Sequence, residues 1–294
     1  MAMRRLPYVL ADVFASRPLE GNQLAVFTDG RSLNDGEMQA VAREMRLCET
    51  TFVLPSDAAE ERAHGTRVRI FTVGEEIPFA GHPTLGTAAV VRGTSGAAEI
   101  QLRLGVGALP VAFRDDLQGT FGEMRQRDPE FGQKHEPGAV ARAAGLAPEA
   151  IAGDLPIQTV STGLPFIIVP VRDLPAIRNL RFQWSLAAEY LERSDGKFFY
   201  FVSRETADPA ARLHARMLFY GGEDPATGSA AGCCAAWAVA HGVIASEESA
   251  MLEQGLECQR PSQIFVRARR DADRIVNVRV GGYVVETGRG ELFL

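Results

Sequence analysis

The sequence contains few lysines and cysteines, and it lacks any long hydrophobic run. Only Lys134 and Lys197 are lysines among the 31 basic residues, and the formal net charge is −6. An acidic chain is poorly suited to nucleic acid or to an anionic membrane surface, so neither is expected as its main partner. No apolar stretch approaches the roughly 20 residues that a membrane-spanning helix needs. A small molecule is therefore the expected partner.

The cysteines are too scattered to predict a disulfide framework, because no two of them form a C-x-x-C pair. They are Cys48, Cys233, Cys234 and Cys258. The basic N-terminal segment has a short apolar run that is interrupted by Pro7 and Asp12, which favours a first β-strand over a signal peptide. These features together predict a reducing, cytoplasmic location.

Metal and nucleotide sites are also poorly supported by the sequence. Four of the five histidines are scattered without the spacing of metal ligands, and no phosphate-binding G-x-x-x-x-G-K-[ST] motif is present. These four are His64, His135, His214 and His241. We therefore expect no metal and no nucleotide.

Short apolar runs separated by turn residues indicate a fold rich in strands. The chain of 294 residues is long enough for one large domain or two ordinary ones. Few helices are indicated, so an α+β fold is expected rather than alternating β-α-β units. The predicted strands are Leu6–Phe14, Leu24–Thr28, Thr51–Pro55, Val68–Thr72, Val111–Phe113, Ile157–Ser161, Pro165–Val171, Phe198–Ser203, Arg212–Phe219 and Ile275–Val280.

The helix signals are fewer but specific. Asn34 and Glu37 have the spacing of a capping box, which predicts a helix through Met45. A second helix is indicated at Ala139–Ala144, and the polar stretch Arg125–Pro137 is expected to be the connection between two halves. The predicted domains are residues 1–124 and 125–282, with the terminal residues 283–294 packing back on the first.

Two further segments, Thr84–Val91 and Ser229–Ala240, are rich in small residues and apolar on nearly every side. A helix without a polar face is typical of a buried helix, and both segments are too short to span a membrane. Each is therefore predicted to be a helix enclosed by a curved sheet, with one such helix in each half.

An internal repeat connects these two helices. The octapeptide HPTLGTAA (His82–Ala89) matches DPATGSAA (Asp224–Ala231) at its Pro, Gly and two Ala positions, about half the chain apart. Matching octapeptides at this separation predict a duplicated fold with pseudo-twofold symmetry. The copies differ at their first position, where a histidine stands opposite an aspartate. One imidazole and one carboxylate at symmetry-related places indicate proton-transfer chemistry.

The helix N-termini predicted at the repeat are candidate anion sites. Unpaired N–H groups there carry a partial positive charge, and two such ends facing each other would hold a carboxylate. Gly86 and Gly228 would permit close approach of the backbone, and Thr87 and Ser229 would add hydroxyl groups. Taken singly, either Gly-Thr/Ser pair is equally typical of ordinary helix capping.

Four stretches of the chain resemble one known family in order and spacing. They are DVFASRPLEGNQLAVF (Asp12–Phe27), MQAVAREMRLCETTFVLP (Met38–Pro55), RIFTVGEEIPFAGHPTLGTA (Arg69–Ala88) and GGEDPATGSAAG (Gly221–Gly232). The chain resembles the PhzF-like phenazine-biosynthesis isomerases, which have the diaminopimelate epimerase-like fold. The resemblance implies two similar domains, each a barrel-like β-sheet around a central helix, with the ligand in the cleft between them. It also implies a homodimer and chemistry without a cofactor.

The resemblance also implies roles for particular residues. Glu49, in the E-T-T-F motif, matches the glutamate that takes a proton from a carbon atom of the substrate. His82 and Asp224 match residues that orient substrate or move protons, Ser229 matches the serine of the T-G-S motif, and Asn22 matches a position that faces substrate.

The backbone amides of Gly81 and Gly228 are expected to hold the substrate carboxylate together with Ser229.

The residues around Glu49 support its role independently of the resemblance. Glu49 leads directly into the apolar strand that begins at Thr51, where desolvation raises the pKa of a carboxyl toward the range of a general base. An ordinary strand-end glutamate paired with an arginine is the alternative. Cys48 and Gln23 stand where the family commonly has Ser and Pro. Because no histidine is adjacent to Cys48, an inert buried cysteine is expected there.

Three functions remain open on the sequence alone. The first is a cofactor-independent isomerase in which Glu49 moves a proton on a small carboxylic or amino acid. The second is an epimerase or racemase that uses the same site, although neither octapeptide has the cysteine that a two-thiol racemase needs. The third is a protein that binds a metabolite or a partner without catalysis. Specificity is expected to lie in Val73–Pro78 and Tyr220–Glu223.

Overall fold

The computed structural model describes residues 3–219 and 222–294, and the chain divides into two compact units. The first unit consists of Met1–Met124 and Gly281–Leu294, and the second consists of Arg125–Val280. Strands dominate both units, so the predicted α+β class is confirmed.

The described residues form the following strands: β1 (Arg5–Val13), β2 (Asn22–Phe27), β3 (Glu49–Leu54), β4 (Thr66–Thr72), β5 (Glu76–Ile77), β6 (Glu99–Leu104), β7 (Gly107–Asp116), β8 (Gly119–Arg125), β9 (Glu130–His135), β10 (Ile157–Ser161), β11 (Pro165–Val171), β12 (Phe198–Ser203), β13 (Leu213–Phe219), β14 (Gly222–Asp224), β15 (Ala250–Gln254), β16 (Ser262–Asp271) and β17 (Arg274–Phe293). The α-helices are α1 (Asp35–Met45), α2 (Ala58–His64), α3 (Gly81–Arg92), α4 (Pro137–Ala144), α5 (Leu174–Arg178), α6 (Trp184–Leu191) and α7 (Gly228–Ala240).

Eight strands of the first unit form a closed ring. β1 pairs with β2, β2 with β3, β3 with β4, and β4 with β6. β6 then pairs with β7, β7 with β8, β8 with β17, and β17 closes the ring on β1. Closure leaves these strands without an exposed edge, as in a β-barrel.

Helix α3 packs against β1, β2, β3 and β6 of this ring. Every residue from Gly81 to Ala88 is buried, which explains the absence of a polar face. Gly86 was expected to leave the backbone open to a ligand. A Cβ atom there would instead lie 2.7 Å from both Val13 Cγ2 and Leu24 Cδ2. This glycine therefore allows the helix to approach the sheet closely.

Helix α1 covers the other face of the same strands. The predicted capping box is confirmed, because the Glu37 N–H donates to Asn34 Oδ1 (3.0 Å) and the Asn34 N–H donates to Glu37 Oε2 (2.9 Å). Met38 of α1 packs with Phe27 of β2 and Phe52 of β3. Since β2 is covered on both faces from Leu24 to Phe27, this part of its sequence is apolar without alternation.

The second unit has a curved sheet around α7. Its strands pair in the order β9–β10–β11–β12–β13–β15–β16. Helix α7 contacts β10 and β11 near one end of this order and β16 at the other, so the sheet bends around it. The outer face of β11 and β12 is covered by an apolar cluster that includes Val140 of α4, Ile177 of α5 and Leu191 of α6. Each unit thus has a barrel-like sheet and one central helix, as predicted.

The segment Arg125–Pro137 is not the simple connection that its polar sequence predicted. It contains β9, which pairs with β10. Five of the six residues of β9 are exposed, and Phe131 is 39% exposed, so this strand shows no apolar periodicity. A strand at the edge of a sheet with one face in water cannot be recognised by an apolar pattern.

No helix among the described residues is both long enough and apolar enough to cross a membrane.

Close packing at Gly86 leads to a stability prediction. Gly86→Ala should lower the free energy of unfolding by about 1–3 kcal/mol, because the added methyl group overlaps two side chains of the barrel. Chemical denaturation followed by circular dichroism measures this change. Gly153→Ala is the control, since a Cβ atom at Gly153 meets nothing within 4 Å. Equal stability of the two variants would contradict the proposed packing constraint.

Candidate active site

Three of the predicted site residues lie together in the first unit. The Nε2 atom of His82 is 3.5 Å from Glu49 Oε2, and the Nδ2 atom of Asn22 is 3.2 Å from His82 Nδ1. Asn22 and His82 are buried, whereas 17% of the Glu49 side chain is exposed. The glutamate is therefore the member of this group that a ligand can reach directly.

Local structure explains how these residues meet. Asn22 and Glu49 are the first residues of β2 and β3, which are parallel neighbours and so begin at the same end of the barrel. The chain reaches Glu49 shortly after α1, whose C-cap residue Arg46 has a left-handed conformation with φ of 54°. His82 is the second residue of α3. The N-terminus of the enclosed helix is thereby placed beside two strand ends.

Burial determines the charge of His82. Desolvation lowers its pKa from 6.5 to about 3, and a hydrogen bond with the backbone of Gln23 opposes this shift only in part. The imidazole is therefore neutral at neutral pH, with one N–H group and one bare nitrogen. A neutral ring can donate a hydrogen bond to the Glu49 carboxyl or accept one from it. This pair is suited to a hydrogen bond between a neutral imidazole and either protonation state of the carboxyl, rather than to a permanent ion pair.

The other predicted residues lie in the second unit, around the start of α7. Asp224 is the last residue of β14, Thr227 is the N-cap of α7, and Gly228 and Ser229 are its first two residues. The Thr227 hydroxyl donates to Asp224 Oδ2 at 2.6 Å. Ser229 is partly exposed. Nothing in the sequence singled out Thr227, because the matching position of the other octapeptide is the apolar Leu85.

The N-termini of α3 and α7 share one property. In the described part of the chain, neither N-cap residue, Ala80 or Thr227, gives its helix a side-chain hydrogen bond. By contrast, Asn34, Asp57 and Glu136 cap α1, α2 and α4 with their side chains. Backbone N–H groups that no cap residue occupies are suited to binding an anion such as a carboxylate.

The two octapeptides are not structurally equivalent. Helix α3 begins before His82, whereas α7 begins four residues after Asp224. As a result Thr87 lies in the second turn of α3, fully buried, with its Oγ1 atom 2.8 Å from Thr51 Oγ1. The expectation that Thr87 offers a hydroxyl group at the start of the helix is therefore wrong. A hydroxyl one full turn inside an enclosed helix is available only to the core.

The cysteines divide into core and surface positions. Cys233 and Cys234 are buried in α7, and burial raises the pKa of the Cys233 thiol to about 11. Cys233 and Cys234 are therefore core residues. Cys48 was expected to be buried but is exposed, because it lies in the short loop between α1 and β3.

The remaining histidines fill structural positions in the second unit or lie on the surface. His214 is fully buried with Nδ1 2.8 Å from Glu253 Oε1 and Nε2 3.1 Å from Glu257 Oε1. His135 lies 2.8 Å from the Tyr190 hydroxyl. Among residues 3–219 and 222–294, no group of three His, Cys, Asp or Glu side chains could hold a metal ion.

The expected specificity segments are only partly described. Val73–Pro78 lies between β4 and α3 and contains the short strand β5. In Tyr220–Glu223, residues 220 and 221 lie outside the described part of the chain, and residues 222 and 223 belong to β14.

The chain has close relatives along its whole length. The sequence profile of a family described as "Phenazine biosynthesis-like protein" matches residues 11–290. An isomerase of Mesorhizobium japonicum, named as uncharacterised, is 37% identical, with 99% of this chain and 100% of the relative covered. The trans-2,3-dihydro-3-hydroxyanthranilate isomerase of Pseudomonas chlororaphis is 34% identical, with 98% of this chain and 99% of the relative covered.

A solved structure shows the same architecture. The phenazine biosynthesis protein of the PhzF family from Bacillus anthracis superposes with a TM-score of 0.89 at 26% identity. The match covers 99% of this chain and all of the other. The predicted diaminopimelate epimerase-like fold is thereby confirmed.

The buried neutral His82 leads to a prediction about pH. Its pKa is lower in the folded than in the unfolded chain, so the unfolded chain binds more protons between about pH 3 and 6.5. Wild-type stability should therefore fall as the pH drops through this window, by up to about 1.4 kcal/mol per pH unit from this residue. In His82→Gln the fall should be shallower by that amount. Urea denaturation at several pH values measures both slopes. The dependence of stability on pH should be the same for the two proteins between pH 7.5 and 8.5. Equal dependence between about pH 3 and 6.5 as well would contradict the lowered pKa of His82.

Proposed function

The chain belongs to the phenazine biosynthesis-like protein family and is an isomerase, and from this premise we propose how it acts. It moves a proton between atoms of a small carboxylate or amino-acid-like substrate without a cofactor. Glu49 is the general acid and base that takes the proton and returns it.

The observation that carries this proposal is the pairing of the Glu49 carboxyl with a buried neutral imidazole, 3.5 Å away. A base that abstracts a proton from carbon must reach the substrate, and the Glu49 side chain is partly exposed. It also needs a partner that can stabilise both of its protonation states. A neutral histidine does this, because it can donate to the carboxylate or accept from the carboxylic acid.

The helix N-termini supply the substrate-binding part of the proposal. The first amides of α3 and α7, at Gly81 and Gly228, attract a carboxylate through their N–H groups and through the dipole of each helix. Ser229 adds a hydroxyl group. The family resemblance implies that one substrate reaches these residues together with Asp224, and an anionic substrate suits two helix N-termini better than a cation does.

The relatives suggest the first compound to test. Trans-2,3-dihydro-3-hydroxyanthranilate, which appears in the name of the Pseudomonas chlororaphis relative, is a cyclic amino acid with a carboxylate. It matches the substrate class that the helix N-termini and the Glu49–His82 pair favour. We propose it, or a small carboxylate of similar shape, as a substrate of this chain.

Glu49→Gln tests the role of the base. The amide keeps the shape of the side chain but cannot accept a proton, so kcat should fall by about 10²–10⁴-fold, the usual size of a general acid–base contribution. Substrate consumption followed by absorbance measures this loss. Glu44→Gln is the matched control, since Glu44 is exposed on α1 and should leave kcat unchanged. If Glu49→Gln retains full activity, the non-catalytic alternative gains support and this proposal fails.

Isotope labelling separates isomerisation from epimerisation. An isomerase of the proposed kind should transfer deuterium from one carbon of the substrate to another, or incorporate solvent deuterium only at the carbon that receives the proton. A racemase would instead place solvent deuterium on Cα of both enantiomers. Proton NMR of the reaction in D₂O distinguishes the two, and label on Cα alone would replace the isomerase proposal by the epimerase alternative.

A further inference from the structure

A fully buried amide lies directly behind the residues at the start of α7. Gln254 is the last residue of β15 and has no exposed surface. Burying an amide without hydrogen bonds costs several kcal/mol, so its partners must be well defined. Gln254 Nε2 donates to the Asp224 carbonyl oxygen at 2.7 Å and to Thr227 Oγ1 at 2.9 Å. Gln254 Oε1 accepts from the Thr227 N–H at 3.2 Å and from the Tyr200 hydroxyl at 2.9 Å.

These four hydrogen bonds use both donors and both acceptor positions of the amide. The reverse orientation is excluded by chemistry, because it would place an acceptor against the Asp224 carbonyl and a donor against the Thr227 N–H. Tyr200 has no exposed surface, and its hydroxyl donates to Gln254. The orientation of the Gln254 amide is thus determined by groups on three sides.

The same network decides what the Thr227 hydroxyl does. Threonine at an N-cap position normally accepts from an N–H in the first turn of its helix. Here the hydroxyl accepts from Gln254 Nε2, and its one proton goes to Asp224 Oδ2 at 2.6 Å. Helix α7 consequently has no hydrogen bond from its N-cap side chain in the described chain. The hydrogen bond from the Thr227 hydroxyl to Asp224 therefore has two effects. It holds the aspartate carboxylate, and it leaves the first backbone N–H groups of α7 without a bond from the N-cap side chain, so that a substrate carboxylate can accept from them.

Backbone packing fixes the distance between the end of β15 and the Asp224–Thr227 segment that leads into α7. Gly255 follows Gln254 with φ of +79°, and a Cβ atom there would lie 2.5 Å from the Pro225 carbonyl oxygen. The turn after β15 therefore contacts the Asp-Pro segment directly. The end of β15 is thereby held beside the segment that carries Asp224 and Thr227, within reach of the Gln254 amide.

We propose that Gln254 is a positioning residue that acts through Thr227, orienting the Asp224 carboxylate for the reaction and keeping the N-terminus of α7 open for the substrate. This inference rests on the proposed function, in which Asp224 takes part in the chemical step. Gln254 itself touches neither substrate nor the reacting atoms.

A double-mutant cycle tests the proposal with trans-2,3-dihydro-3-hydroxyanthranilate as the assayed compound. Gln254→Met and Thr227→Val should each lower kcat by at least about tenfold, because Asp224 loses its orientation. KM should rise in Gln254→Met, where the released Thr227 hydroxyl turns to the first amides of α7, but should change by less than about threefold in Thr227→Val, which has no hydroxyl to occupy them. The double variant should be no slower than the slower single variant, since both changes remove the same constraint. Thr227→Ser keeps the hydroxyl group and should retain kcat within about threefold of wild type.

The controls separate this inference from the proposed function. Gln263→Met, on the adjacent strand β16 with a partly exposed side chain, should leave kcat and KM unchanged. Multiplied losses in the double variant, a loss confined to KM, or unchanged kcat in both single variants would overturn the positioning role. Retained activity in Glu49→Gln would instead overturn the proposed function, whatever the Gln254 variants show.

A crystal structure of Gln254→Met provides a test that needs no substrate and shows that the variant folds. The hydrogen bond between Thr227 Oγ1 and Asp224 Oδ2 should be lost, with Thr227 Oγ1 turned toward the first amides of α7. An unchanged contact at 2.6 Å would contradict the proposal. If this variant does not fold, Gln254→Glu takes its place in both measurements, because a carboxylate keeps the shape of the side chain but loses the N–H groups that reach Thr227 Oγ1 and the Asp224 carbonyl.

Discussion

A helix with no polar face must be covered on all sides, and both units of this protein are built around that requirement. In the first unit, eight strands close into a ring around α3. In the second, a sheet bends so that strands near its two ends contact α7. Small residues make this possible, because the glycines and alanines of α3 and the Gly, Ala, Ser and Cys residues of α7 keep each helix narrow enough for its sheet. At Gly86 the clearance is so small that one methyl group would not fit.

Enclosure of the helices also determines the chemistry available at their N-termini. A histidine at the second position of an exposed helix would be hydrated and would titrate near its ordinary pKa. His82 is buried by the barrel, which keeps the imidazole neutral and places it beside the carboxyl of Glu49. At the start of α7, hydrogen bonds hold the Asp224 carboxylate in place. The buried amide of Gln254 donates to the Thr227 hydroxyl, which in turn donates to Asp224. Desolvation thus sets the protonation state of His82, whereas hydrogen bonds from buried groups hold Asp224, which is itself only partly buried.

Much of the fold could be predicted from the sequence because its signals are local. The capping box at Asn34 and the apolar runs at Ile157–Ser161 and Pro165–Val171 correspond to elements of the structure. The prediction failed where the decisive contacts are distant in sequence. β9 has exposed side chains and was taken for a connection, although its backbone pairs with β10. Cys48 was expected in the core, but the loop after α1 carries it to the surface.

The candidate site shows the same division between local and distant information. The sequence alone determined the residue types that matter: a glutamate at the start of an apolar strand, a histidine and an aspartate at matching places in two octapeptides, and glycines where helices begin. The octapeptides could not show that α3 starts before His82 while α7 starts after Asp224, because helix boundaries depend on what packs against each segment. Only the tertiary structure buried Thr87, brought Asn22 and Glu49 to His82, and placed Gln254 behind Thr227. The physical reason is that residue type follows from chemistry, whereas hydrogen-bond partners and desolvation are set by strands and helices that are remote along the chain.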